Sequence, residues 1–112
     1  MKKYLTFSEF WPFYVAEHSR RGTRILHFLG TTLFFIFLSK ALFYQSLKDL
    51  IPAVALAYGC AWTGHFLIEK NRPATFQYPL FSLMGDFKMY WLMLRGRMKG
   101  EVLRAAALSE AS

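Results

Sequence analysis

Cysteine is almost absent from this 112-residue chain. Cys60 stands alone, so no internal disulfide can form and the redox compartment stays open. Acidic residues are scarce, with 7 Asp and Glu against 14 Lys and Arg, and histidine is scarcer, with 3. These shortages exclude several chemistries. There is no H-E-x-x-H, so a zincin-type protease is unsupported. A di-iron carboxylate centre needs several glutamates and paired E-x-x-H motifs, which the chain lacks. The His-rich membrane hydroxylases need far more than three histidines. Internal repeats, low-complexity segments and nicotinamide or 2-oxoglutarate motifs are also missing. The first 20 residues have no continuous apolar core and no small-residue cleavage site, so no cleavable signal peptide is expected.

Large apolar side chains are abundant instead. The chain is 54% hydrophobic and 19% aromatic, with 12 Phe. A soluble domain of this size has too little interior to hide them. The net charge of +7 would suit nucleic acid or an anionic membrane surface. The apolar runs decide for the membrane, so lipid rather than nucleic acid is the expected partner. The length allows one domain, residues 1–112, and leaves the oligomeric state open.

Four helical segments follow from the pattern. Thr6-x-x-Glu9 fits a capping box and starts an aromatic helix over 8–21, which reads as lying at the interface, with Pro12 near its first turn and Gly22 as its interruption. Two apolar runs of 19 residues, 25–43 and 50–68, are close to the roughly 20 residues that a span needs. A fourth helix over 79–98 carries Asp86 and Lys88 and makes a poor independent span, able to pack on the hairpin or lie in the interface. Residues 101–112 read as a short, frayed, Ala-rich tail. The fold class is all-α: an integral membrane helical bundle with a two-span hairpin, an N-terminal interfacial helix and a further C-terminal helix. Lys and Arg flank the outer ends of the spans (Lys2, Lys3, Arg20, Arg21, Arg24; Lys70, Arg72, Arg95, Arg97, Lys99), against Lys40 and Lys48 at the connection. Both termini are therefore expected in the cytoplasm.

An antiparallel hairpin brings His27, near the start of the first span, level with His65, near the end of the second. His18 lies on the same side, and Glu69 is about 40° around the helix from His65. Three histidines and one carboxylate fall in one layer. Each has an ordinary explanation: an interface histidine paired with a helix-terminal glutamate, a hydrogen-bonded structural histidine, plain surface polarity beside Glu17 and Arg20. Their coincidence at one depth favours a site, because ionisable groups at membrane depth are costly to bury. Neutral imidazoles with one carboxylate suit a single first-row metal. Two histidines and a carboxylate suit iron(II) with O₂; three histidines suit zinc or iron. Glu69 either ligates the metal or orients a histidine ring from behind.

The blocks Tyr14-x-x-x-His18, Arg24-x-x-His27-x-x-Gly30 and Gly64-His65-x-x-x-Glu69-Lys70-x-x-Pro73-Ala74 carry a resemblance. Over roughly residues 8 to 95 the chain resembles the small membrane family of iron(II)-dependent 2-hydroxy fatty acid dioxygenases, first catalogued as a domain of unknown function. The resemblance implies a metal held by His18, His27 and His65, O₂ as co-substrate, and shortening of a long-chain 2-hydroxy acid by one carbon in fatty acid α-oxidation. Fungal-type sequences carry further spans and a different stretch after Pro-Ala; this shorter form resembles a bacterial member, hence a bacterial inner-membrane location. A basic clamp for the substrate carboxylate is then expected, from Arg24 and Arg72. The alternatives are a non-catalytic membrane protein that binds lipid headgroups or a partner, and a zinc-dependent lipid hydrolase.

Overall fold

The computed structural model describes residues 4–111. Five α-helices account for most of them: α1 (Phe7–Ala16), α2 (Arg21–Tyr44), α3 (Leu50–Thr63), α4 (Pro79–Leu94) and α5 (Met98–Ala111). Short 3₁₀ turns at Leu47–Asp49 and Ala74–Phe76 join them, α3 continues as a π-helical stretch, Gly64–Glu69, and no strand occurs among the described residues.

α2 and α3 form the hairpin. By length and composition α2, with 24 residues, and the helical run Leu47–Glu69, with 23, are each able to cross a membrane. Their close approach depends on residues without bulk. A Cβ at Gly30 would lie 3.0 Å from the Ala57 carbonyl oxygen and from the Cys60 Cβ, and one at Gly64 would lie 2.9 Å from Thr23 Cγ2. Small residues at such crossings let two apolar helices pack backbone to backbone. The turn at the end of α2 is a Schellman-type stop: Gln45 adopts a left-handed conformation (φ 51°) and Ser46 N–H donates to the Ala41 carbonyl at 2.9 Å.

The other three helices make a bundle around aromatic side chains. α1 supplies Phe10, Trp11, Tyr14 and Val15, all buried, against Met89 of α4 and Met98 and Ala105 of α5. The Thr6 hydroxyl caps the Glu9 N–H at 3.2 Å as expected, while Glu9 accepts from Leu5 N–H rather than from Thr6. α4 also packs on the hairpin, where Tyr90 stacks on Phe28 at 4.7 Å and its hydroxyl meets the Thr32 hydroxyl at 2.9 Å.

Several expected boundaries change. The first helix stops at Ala16 instead of residue 21, with Pro12 past its first turn, and the break falls at 17–20, so Gly22 lies inside α2. One side of α1 is covered by α4 and α5. The fourth helix ends at Leu94, followed by Gly96 at φ 68°. The expected frayed tail is instead part of α5. Glu101 accepts a 2.6 Å hydrogen bond from Trp11 Nε1, and Ala105 is buried against the cluster. Alanine-rich composition favours helix, and burial of one face supplies the tertiary support that a short helix lacks alone.

Candidate metal centre

The chain places the three histidines by three different means. His18 sits in the tight turn between α1 and α2, where its N–H donates to the Val15 carbonyl. His27 faces inward from α2, and His65 from the π-helical stretch, which is stopped by Lys70 in a left-handed conformation (φ 60°). Such π-helical turns recur at functional sites because they re-aim one side chain. All three rings are buried, at 1%, 6% and 2% exposure. Their centroids lie 4.4, 4.5 and 5.1 Å apart with each pair close to perpendicular. One ligand atom from each lies within 4.8 Å of the others.

Hydrogen bonding decides which nitrogens converge. His18 Nδ1 meets the Tyr14 carbonyl at 2.6 Å and His27 Nδ1 meets the Thr23 carbonyl at 3.1 Å. A carbonyl oxygen only accepts, so both Nδ1 atoms carry hydrogen. His65 Nδ1 meets Asn71 Oδ1 at 2.7 Å, while Asn71 Nδ2 donates to the Glu17 carbonyl at 3.1 Å. That second bond orients the amide and makes Oδ1 the acceptor. Three Nδ1–H groups are therefore spent outward, and three Nε2 lone pairs point inward.

The inward contact is revealing. His18 Nε2 and His27 Nε2 are 3.0 Å apart. With both Nδ1 atoms protonated and both rings neutral, this is a contact between two acceptors, which repel unless a proton or a cation lies between them. Burial, then the neighbouring His27 and His65, holds the His18 imidazole well below its usual titration range. An extra proton is thus disfavoured, and a metal ion fits the donor set. Outward Nδ1–H bonds to carbonyl or amide oxygen are the usual way in which a protein fixes the tautomer of metal-ligating histidine. The space among these rings and the neighbouring side chains is ≈ 10 Å³, about one atom's worth.

Glu69 does not join the rings. It accepts from the Ser19 hydroxyl at 3.0 Å and from Arg20 N–H at 2.6 Å. α2 has no side-chain cap of its own at Arg20. Glu69 supplies that cap from outside, and a carboxylate is favoured at a helix N-terminus. This demand draws it away from His65. Neither arginine lines the space among the rings: the Arg24 guanidinium donates to the carbonyls of His18 and Ser19, both at 2.8 Å, and Arg72 lies over the Phe76 ring at 5.3 Å.

Beside the histidines opens a cavity of ≈ 270 Å³, bounded by α2, α3 and α4. His27, Tyr58, Ala61 and Asp86 line both it and the small space among the rings. Its remaining walls, Thr31, Phe34, Val54, Ala57, Leu83 and Phe87, are mostly apolar. Tyr14 donates its hydroxyl to Asp86 Oδ1 at 2.5 Å and stacks on His18 at 4.1 Å. Burial pushes the Asp86 carboxyl up to about 7, although the Tyr14 bond opposes this.

Asn71 and the Tyr14 and Thr23 carbonyls escaped the sequence reading. Backbone acceptors have no residue signature, and the six-residue step from His65 to Asn71 crosses an irregular turn, so no helical period could join them.

A family model described as 2-hydroxy-palmitic acid dioxygenase Mpo1-like matches residues 4–98. No curated protein and no solved structure matches the chain.

Proposed function

Because the chain belongs to the Mpo1-like family, we propose that it is an iron(II)-dependent dioxygenase that converts a long-chain 2-hydroxy fatty acid into the fatty acid one carbon shorter. The observation that carries this reading is the set of three buried imidazoles whose Nδ1–H groups are all spent outward and whose Nε2 atoms converge. His18, His27 and His65 would hold the metal through Nε2. When bound, iron(II) supplies open positions at which a chelating substrate and O₂ meet. The atoms balance without an outside reductant: a 2-hydroxy acid and O₂ contain those of the shortened acid, CO₂ and water.

The protein's own part is to fix and to exclude. Tyr14, Thr23 and Asn71 hold the rings in one tautomer and one orientation. Thr31, Phe34, Val54, Leu83 and Phe87 receive the alkyl chain and keep water from the reacting carbons. Arg24 and Arg72 are left out of this assignment because their guanidinium groups are engaged elsewhere. The hairpin crosses a bacterial inner membrane with both termini and the histidines toward the cytoplasm, a reading supported by the Lys and Arg that flank the outer ends of α2 and α3. Reporter fusions at the α2–α3 turn and at the C-terminus test it; a cytoplasmic turn would defeat it.

The all-imidazole donor set also suits zinc, which keeps a zinc-dependent lipid hydrolase as the second reading. Elemental analysis of the purified protein, followed by assay of the iron- and zinc-loaded forms with 2-hydroxypalmitic acid, separates the two. The expected result is O₂ consumption and a shortened acid with iron alone. Turnover with zinc, or without O₂, would overturn the dioxygenase.

A further inference from the structure

Four residues line both the space among the histidines and the apolar cavity: His27, Tyr58, Ala61 and Asp86. A ligand with its head group at the rings and its chain in the cavity must pass them. In a 2-hydroxy acid the atom at that passage is C2, which carries the hydroxyl. Asp86 is the acidic group there. Its Oδ1 is occupied by the Tyr14 hydroxyl, while Oδ2 takes no hydrogen bond from a described residue. One turn earlier on α4, Ser82 is 2% exposed, and its hydroxyl is the one buried side-chain polar atom without a partner among the described residues. It too lines the space that holds His18 and His65. An unpaired buried hydroxyl is costly and calls for an occupant able to bond with it. Spacing of four residues puts Ser82 and Asp86 on one face of α4.

We propose that α4 reads the substrate's head group: Asp86 accepts a hydrogen bond from the 2-hydroxyl, and Ser82 donates one to the carboxylate. The inference rests on the dioxygenase reading and deepens it. The metal ligands come from the α1–α2 turn, α2 and the π-helical stretch, whereas discrimination between a 2-hydroxy acid and a plain fatty acid comes from a helix that contributes no ligand. Tyr14 links the two sets, since its carbonyl orients His18 and its hydroxyl holds Asp86. A site built to bond a substrate hydroxyl discriminates against the analogue lacking it, because the acceptor then has no substrate partner.

The test uses the iron-loaded full-length protein in detergent, with 2-hydroxypalmitic acid and palmitic acid as paired probes. Binding is measured without O₂, and turnover of the hydroxy acid with it. The parent should prefer the hydroxy acid. Asp86→Asn should keep its iron and its affinity for palmitic acid while that preference falls by about 10- to 100-fold. Ser82→Ala, a change too small to threaten folding, should weaken both acids alike. If the parent turns over and Asp86→Asn retains the full preference, or Ser82→Ala binds both acids as the parent does, α4 is not the reader. If the parent neither binds nor oxidises the hydroxy acid, the dioxygenase reading itself falls, and this inference with it.

Discussion

The α1–α4–α5 bundle and the α2–α3 hairpin use the same kinds of residue in opposite ways. In the bundle, Phe10, Trp11 and Tyr14 are hidden, and they touch one another and Met89. In the hairpin, large apolar side chains face outward: Phe43 is 79% exposed and Ile51 72%. The first is the economy of a protein in water, which buries aromatic area. The second suits a pair of helices that are long and apolar enough to cross a membrane, because lipid leaves an exposed Phe without penalty. The histidines lie where the two regimes meet. His18 comes from the bundle side, and His27 and His65 from the hairpin. A site on that seam can draw an alkyl chain from the apolar side and a polar head from the other.

The largest effect should come from cutting the seam. His27→Ala removes one of three converging nitrogens and should abolish metal binding while helicity by circular dichroism stays at the parent level. Full metal occupancy in that variant would make His27 structural. The next test sets the two regions against each other. Trp11→Ala should cost about 3–5 kcal/mol, as for an aromatic removed from a packed core. Phe43→Ala, which removes as apolar a group from the hairpin surface, should stay within about 0.5 kcal/mol in detergent. Equal losses in thermal unfolding would erase the distinction between a water-type core and a lipid-type surface.

A smaller effect sharpens the assignment of polar partners at the seam. Asn71→Ala frees the His65 ring and should weaken metal affinity by about 10–100-fold. Glu69→Gln should leave metal affinity unchanged, because Glu69 serves the start of α2. Competitive chelator titration of both variants decides it, and a reversal would restore Glu69 to the metal.

The smallest effect concerns the Asp86 carboxyl in the metal-free protein. Its folded value of about 7 lies above the ordinary 3.8. Between these values the folded state holds a proton that the unfolded chain has released, so stability falls as pH rises through this window. Asp86→Asn removes that loss and should gain melting temperature relative to the parent from about pH 4 to about pH 8. A constant difference across that range would mean that Asp86 is not held protonated by burial.

Much was legible in the linear order. Two apolar runs of membrane length, the scarcity of acid and the capping box at Thr6 led directly to a helical hairpin preceded by another helix, because hydrophobic period and caps are local properties. The convergence of His18, His27 and His65 was legible too, since an antiparallel hairpin equates positions near its two outer ends. What the sequence could not decide was direction within that layer. Glu69 and His65 share a face by spacing, yet the carboxylate turns to Ser19 and Arg20 because the start of α2 needs a cap. The inward aim of each Nε2 depends on two backbone carbonyls and the Asn71 amide, none of which announces itself by residue type. α5 looked like a tail because its alanines carry no amphipathic signal, and the Trp11 to Glu101 bond with the burial of Met98 and Ala105 gives it a place. Local chemistry determined that a helical hairpin forms and that its outer ends meet at one level; tertiary contacts decided which polar atoms find each other, because buried donors and acceptors take the partners that packing brings within reach.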